Sequence, residues 1–111
     1  MIFSDKSGLF INAWRICAAG LTEPKSEFQF AIEAGRKFRF DWAFPAVRIG
    51  IEIDGGQWVY GGGRHARDGD KIKGNLAAEL GWRVFHFSPD MLNRDPLTCI
   101  EQVVRALEHQ R

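Results

Sequence analysis

The chain has 111 residues, 45% of them hydrophobic and 26% charged, which is enough for one buried core and leaves little room for a second domain. Its formal charge of +1 is uninformative in bulk, so a nucleic-acid partner would have to meet a local basic patch. No stretch approaches the roughly 18 apolar residues of a membrane span, and residues 1–10 lack the basic region and long apolar run typical of a secretory signal. We therefore expect a cytoplasmic protein with no membrane partner, in which Cys17 and Cys99 are reduced, buried thiols.

The first half of the chain predicts one helix followed by three antiparallel strands. Apolar spacing favours a helix over residues 9–19, and the glycine after it can end it. Alternation of apolar and polar residues predicts a strand over residues 28–33. A hairpin at residues 34–36 then leads into two further strands, over residues 38–44 and 47–54.

The second half predicts a helix, a strand and a final helix. A helix over residues 70–80 carries apolar residues at helical spacing, namely Ile72, Leu76 and Leu80. A neighbouring face of the same helix carries Asp70, Lys73, Gly74 and Ala77. Residues 82–87 indicate a buried strand, and we interpret His86 within it as a core or sheet-face residue.

Asp95 caps the final helix, and Pro96 occupies its first turn. The predicted buried stripe of this helix is Leu97, Ile100, Val103, Val104 and Leu107. The order helix, three strands, helix, strand, helix fits an α/β sandwich around a mixed sheet, in a single domain over residues 1–111.

Two neighbouring strands carry acids on the face opposite their hydrophobic residues, and acids on a strand cost free energy. A slip of one residue exchanges the two faces, so only registers that keep both hydrophobic sides together are allowed. In that register Phe40 and Trp42 share one face, Trp42 lies opposite Ile51, and Asp41 lies opposite Glu52. Directly opposed Cβ atoms are roughly 4.5 to 5.5 Å apart, so both carboxylates can reach one cation. Mg²⁺ prefers such oxygen ligands, and we predict a Mg²⁺ site there, with Mn²⁺ as a substitute.

A solvated strand face is the alternative interpretation of these acids, because half-exposed antiparallel sheets alternate in the same way. In that case Arg39 would pair with Asp54 across the two strands. Asp54 is otherwise a candidate ligand for a second cation, or a residue that orients Arg39.

The glycine-rich segment after Asp54 lets the backbone approach a ligand closely. Gln57 is a candidate contact for the scissile phosphate, and Trp58 for stacking on a base, although aromatic residues in loops more often cover a core. His65 follows this segment as a candidate general base or proton donor, with a merely exposed loop histidine as the alternative. Candidate phosphate contacts are provided by the densest basic run, which contains Arg64, Arg67, Lys71 and Lys73.

The residues and their order resemble the PD-(D/E)XK nuclease superfamily, in particular its very-short-patch-repair-like branch and small phage-type endonucleases. The resemblance covers residues 27 to about 91 and is carried by the strings FRFDWAFP, IGIEIDGGQW, GGRH and GWRVFHF and by the helix signature Asp70, Lys73 and Asn75. It implies a restriction-endonuclease-like mixed sheet flanked by helices and a metal-dependent DNA endonuclease.

The superfamily pattern, carried over residue by residue, implies Asp41 and Glu52 as the Mg²⁺ ligands, joined by the carbonyl of Ile53. The superfamily normally places a lysine two positions after the second acid, and this chain has Asp54 there. Members that carry the lysine on the following helix nominate Lys73, which would help to orient the nucleophile.

Lys73 has an alternative interpretation as an exposed helix lysine that pairs with Asp70. The chain also lacks the glutamate that the superfamily carries in its first helix, and only Glu23 or Glu27 could substitute for it.

We expect hydrolysis of a DNA phosphodiester by metal-activated water, either as nicking or directed to branched or mismatched DNA, and the resemblance permits a homodimer. The other interpretations are a Holliday-junction resolvase and a catalytically inert DNA-binding module on the same scaffold.

Overall fold

In a computed structural model, the backbone is described for residues 5–54 and 63–109, and side chains for residues 6–54 and 68–109. The fold is α/β, with a four-stranded mixed sheet in the order β1-β2-β3-β4. β2 pairs with both β1 and β3 in antiparallel orientation, and β3 pairs with β4 in parallel orientation. The elements are α1 (Asp5–Cys17), β1 (Lys25–Gln29), β2 (Arg39–Phe44), β3 (Ile49–Ile53), α2 (Gly63–Glu79), β4 (Arg83–Phe87), α3 (Pro89–Arg94) and α4 (Pro96–Glu108).

Helices cover both faces of the sheet. On one face α1, α3 and α4 pack together over a core that includes Trp14, Trp42, Ile51 and Ile100. On the other face lies a second cluster, which contains Phe30, Phe40, Ala43, Ala77 and Trp82. The mixed sheet flanked by helices confirms the predicted α/β architecture, to which the structure adds the short helix α3. Of the helices in the described ranges, none combines the length and apolar character needed to cross a bilayer.

The strand predicted over residues 28–33 is wrong in position, since β1 spans Lys25–Gln29. Residues Ile32–Ala34 instead form a 3-10 turn, which Gly35 closes with a φ of +78°, so the predicted reversal at residues 34–36 is confirmed. β1 is an edge strand and most of its residues are exposed, so apolar and polar residues do not alternate clearly along its sequence.

The helix α2 begins at Gly63, well before the predicted residue 70. The added first turns contain only glycine, alanine and polar residues, so apolar spacing gives no signal there. Of the predicted apolar residues, Leu76 and Leu80 pack against the second cluster, whereas Ile72 is 48% exposed and Ala77 is buried in its place. In α4 the Asp95 cap is confirmed by its bond from the Thr98 N–H, while Leu97, expected in the buried stripe, is exposed.

The predicted register between β2 and β3 is confirmed where Trp42 lies opposite Ile51, whereas the predicted pairing of Asp41 with Glu52 falls beyond the paired residues. The face assigned to Phe40 is wrong, because Phe40 packs in the second cluster whereas Trp42 packs in the first. Paired residues end at Trp42, and beyond it the Ile53 N–H donates to the Asp41 carboxylate over 2.7 Å. This side-chain contact accompanies a local change of facing, which brings the Phe40 ring over the backbone of Gly50.

We expect Gly50→Ala to destabilise the fold by about 1 to 3 kcal/mol, the usual cost of overpacking a core. An added Cβ would stand 2.6 Å from the Phe40 ring, which is itself stacked on Phe30 with ring centroids 4.1 Å apart and has little freedom to yield. Urea denaturation measures the change. The matched control is Gly69→Ala in α2, where a Cβ meets nothing within 4 Å and stability should not fall. Equal midpoints for Gly50→Ala and the parent protein would contradict the packing described.

Candidate functional site

An open cavity of about 590 Å³ lies between the sheet and α2. Its residues come from β2, β3, α2 and β4 and from the segments that follow β3 and α2. The lining residues are Phe40, Glu52, Asp54, Asp70, Lys73, Gly74, Ala77, Ala78, Trp82, Val84 and His86. Acids, a lysine and a histidine therefore share one concave surface with two aromatic rings.

Glu52 is the most deeply placed acid of this cavity, with a side chain only 13% exposed. Its Oε2 lies 2.5 Å from the Lys73 Nζ, yet the same oxygen is buried without a hydrogen-bond partner among the described residues. At 2.5 Å the charged amine pairs with this oxygen as an ion pair, whatever the angle of the contact, and the same contact lowers the pKa of Glu52. Glu52 is therefore a buried carboxylate with one cationic partner among the described residues.

Burial raises the pKa of Glu52 to about 7. The ion pair with Lys73 lowers this pKa, while the nearby negative charges of Asp41 and Asp54 raise it. A carboxylate that holds its proton so tightly gains free energy from any further positive charge placed beside it. The cavity thus favours either a proton or a cation at this position.

Asp41 lies within electrostatic reach of Glu52 but does not line the cavity. Its Oδ2 accepts the Ile53 N–H over 2.7 Å, which holds the carboxylate at the point where β2 and β3 stop pairing. Within the described part of the chain, no three or more His, Cys, Asp or Glu side chains form a group able to hold a metal ion. Mg²⁺ commonly takes only one or two carboxylates, because water and substrate complete its shell. Asp41 and Glu52 are donors of that type, and a Mg²⁺ site at them stays a prediction.

Lys73 extends from α2 towards β3 rather than along its own helix. Its ion-pair partner among the described residues is Glu52, so the alternative pairing with Asp70 is wrong. The Nζ atom also lies 5.7 Å from the centroid of the Phe40 ring. The predicted shared face of Asp70, Lys73 and Gly74 is confirmed, since all three line the cavity. An added Cβ at Gly74 would meet nothing within 4 Å, so close packing does not explain this glycine.

Asp54 pairs with His86 rather than with Arg39, which contradicts the proposed cross-strand pair. Its Oδ2 lies 2.5 Å from the His86 Nδ1, whereas Arg39 contacts Glu27 at 3.4 Å. The hydrogen bond to Asp54 is the largest cause of the raised pKa of His86, and the charges of Asp54 and Glu52 raise it further, whereas burial and the charge of Lys73 lower it. Whether Asp54 holds a cation stays a prediction, as does the role of the Ile53 carbonyl.

His86 is the site residue that sequence reasoning missed. The register of the parallel pair places it beside Glu52, and its side chain is 60% exposed in the cavity. The apolar string around it favours a buried strand, but burial along β4 is only partial. The signal that identifies His86 is its pairing with Glu52 across strands, which local sequence does not contain.

The remaining candidates divide into three groups. Gln57 and Trp58 lie outside the described residues. The backbones of Arg64, His65 and Arg67 belong to α2, so His65 is a helix residue and not a loop residue, while their side chains lie outside the described set. Lys71 is exposed. The proposed substitutes for the helix glutamate are both engaged elsewhere, Glu23 with Arg15 and Glu27 with Arg39.

Comparison with known proteins identifies distant relatives and no family. No family model matches the chain, and no solved structure matches it. Two proteins of Mycobacterium tuberculosis match it at 27% identity over 92 residues, namely the uncharacterized protein MT2308 of strain CDC 1551 and the uncharacterized protein Rv2248 of strain H37Rv. The matches cover 83% of this chain and 33% of each relative, so the chain spans about a third of the length of the curated relatives it matches.

We expect Glu52→Gln to change the pH dependence of stability. The folded-state pKa of Glu52 is raised from 4.5 to about 7, so the folded state binds this proton more tightly than the unfolded state. The contribution of Glu52 to stability is therefore most favourable below about pH 4.5, falls as pH rises to about 7, and is constant above. Glutamine does not ionise, so at pH 8 the free energy of unfolding of the variant should exceed that of the parent protein by up to about 3 kcal/mol. The loss of the ion pair with Lys73 reduces this gain.

Denaturation curves from pH 4 to pH 8 measure this difference, with Glu101→Gln on the exposed side of α4 as the control. The control should follow the parent protein at every pH. If Glu52→Gln also follows it, then Glu52 is not buried as an acid of raised pKa.

Proposed function

We propose that this chain is a metal-dependent DNA endonuclease that hydrolyses phosphodiester bonds, built on the restriction-endonuclease-like fold of the PD-(D/E)XK superfamily. The observation that carries the proposal is the buried Glu52 carboxylate, which has the Lys73 amine at 2.5 Å and the negative charge of Asp41 nearby. Two acids from adjacent strands and one lysine are the set that this chemistry requires.

The position of Lys73 supports the proposal where the sequence departs from the superfamily pattern. The residue two positions after Glu52 is Asp54, which cannot donate a proton or a positive charge in its ionised form. Lys73 reaches the same carboxylate from α2, so an amine is present beside the second acid even though it comes from another element. A lysine amine there can hold a phosphate oxygen or orient an attacking water.

The donor set fits Mg²⁺, with Mn²⁺ as its substitute. Asp41 and Glu52 would hold the ion, and the Ile53 carbonyl is a further candidate ligand. When bound, the ion would neutralise charge on the phosphoryl group and lower the pKa of the attacking water. The burial of Glu52 beside the negative charges of Asp41 and Asp54 is the observation that favours a cation over a neutral ligand.

The apolar part of the cavity supports the same function. Phe40 and Trp82 lie against each other, with ring centroids 5.1 Å apart, and both line the cavity that holds Glu52 and Lys73. Electrostatic interactions are stronger beside such surfaces than in bulk water, so the lysine and the carboxylates act on a bound phosphate with little screening.

We expect Asp41→Asn and Glu52→Gln each to lower Mg²⁺-dependent cleavage at least about a hundredfold, because each removes one anionic ligand from the cation. Binding of duplex DNA should change by less than about threefold, since phosphate contacts supply most of it. Nicking of supercoiled plasmid with Mg²⁺, Mn²⁺ or EDTA measures cleavage, and calorimetry measures metal binding. Glu101→Gln is the control that should retain both.

An unchanged cutting rate in either variant would defeat the ligand assignment. DNA binding by the parent protein without cleavage or metal binding would favour the inert DNA-binding module instead. Linear, mismatched and four-way-junction substrates in the same assay separate a general endonuclease from a junction resolvase.

Lys73→Met and Lys71→Met should affect different steps, although the two residues lie on the same helix. Lys73 contacts Glu52, so its loss should lower the cleavage rate at saturating DNA by about a hundredfold. Lys71 is exposed, so its loss should weaken the binding of DNA of any sequence and should lower the salt dependence of that binding by about one released counterion. The cleavage rate at saturating DNA should be unchanged. Single-turnover kinetics at several salt concentrations measure both effects, and identical profiles for the two variants would remove Lys73 from the site.

A further inference from the structure

The parallel pairing of β3 and β4 builds a second polar pair beside the Glu52–Lys73 pair. Glu52 lies opposite His86 in the register, and Asp54 follows Glu52 by two residues. The ladder continues beyond β3, because the Asp54 N–H donates to the Phe87 carbonyl over 2.9 Å. The Asp54 and His86 side chains therefore meet at 2.5 Å next to the proposed catalytic acid.

One nitrogen of the His86 ring, Nδ1, contacts Asp54, and the other, Nε2, is available to a ligand. Its Nδ1 lies against the Asp54 carboxylate, which only accepts hydrogen bonds when ionised, so Nδ1 carries the hydrogen. Among the described residues, Asp54 is the one polar partner recorded for this ring. The side chain is 60% exposed and lines the cavity, so Nε2 remains available to a ligand there.

We propose that His86, held in orientation by Asp54, contacts a phosphate oxygen of the DNA through Nε2 next to the Glu52–Lys73 pair. This inference rests on the proposed function and names a substrate contact that the superfamily resemblance does not supply. A ring that donates from both nitrogens is an imidazolium, and the adjacent carboxylate balances its charge. Asp54 is thus a positioning residue, whereas His86 touches the substrate.

The competing explanation is that His86 only neutralises Asp54 and never meets the substrate. Bond counting separates the two explanations, because the amide nitrogen of asparagine is as far from Cβ as Nδ1 is, and that of glutamine as far as Nε2. His86→Asn therefore keeps a donor for Asp54 and removes the group facing the DNA. His86→Gln keeps a donor near the Nε2 position and gives up the fit to Asp54.

The test compares the parent protein, His86→Asn, His86→Gln and the control His109→Asn at one pH. Cleavage of plasmid with Mg²⁺ and affinity for a labelled duplex are both measured, and thermal melts confirm that each variant folds. We expect His86→Asn to lose about ten- to a hundredfold in cleavage, the effect of one lost hydrogen bond to a charged group. His86→Gln should recover most of that loss, and His109→Asn, at the end of α4, should match the parent protein.

Cleavage by His86→Asn that equals or exceeds that of His86→Gln would overturn the proposal and leave the endonuclease assignment intact. Should the parent protein bind DNA without cutting it, the endonuclease assignment fails, and the affinity ranking of the two variants alone decides whether His86 contacts DNA. Absence of both cleavage and DNA binding in the parent protein would overturn both.

Discussion

The burial of the Glu52 carboxylate beside Lys73 is the constraint around which the site is organised. A buried carboxylate loses hydration, and a single amine at 2.5 Å offsets only part of that loss, because the pKa of Glu52 stays raised to about 7. The same contact ties α2 to β3, so the position of the helix over the sheet and the electrostatics of the cavity are coupled. Replacement of a buried ion pair by apolar side chains of similar volume is often neutral or stabilising, so this pair is weak evidence for a stabilising role.

The features of the site that follow from strand parity were predictable from the sequence. Alternation fixed which residues of β3 face the first core, and the register of Trp42 opposite Ile51 followed because other registers would expose one hydrophobic side. The facing of Phe40 was not predictable in this way. It accompanies a hydrogen bond from the Ile53 N–H to the Asp41 side chain at the end of the paired region, and alternation within either strand gives no sign of such a contact between strands.

The rest of the site depends on contacts between distant segments. The superfamily resemblance predicts Lys73 as a site residue, but how α2 lies on the sheet determines that Lys73 pairs with Glu52 and not with Asp70. His86 is recognisable as a site residue only from the parallel register of β3 and β4, which relates residues far apart in the chain. The early start of α2 escaped detection for a different reason, since its first turns carry no apolar residues from which a period could be read.

The charge balance of the cavity explains why a lysine, a histidine and a cation would be needed together. Glu52, Asp54 and Asp70 line a surface on which Lys73 and His86 are the basic groups, so the described walls alone offer no excess of positive charge to a phosphodiester. Each basic group is already within 2.5 Å of one acid, which limits what either can offer to an approaching phosphate. A divalent ion at Asp41 and Glu52 would reverse this balance, since it would compete with Lys73 for the Glu52 carboxylate and release part of the Lys73 charge towards the substrate. Under the proposed function, such an ion would therefore draw in the DNA phosphate and would also supply the charge that activates the attacking water.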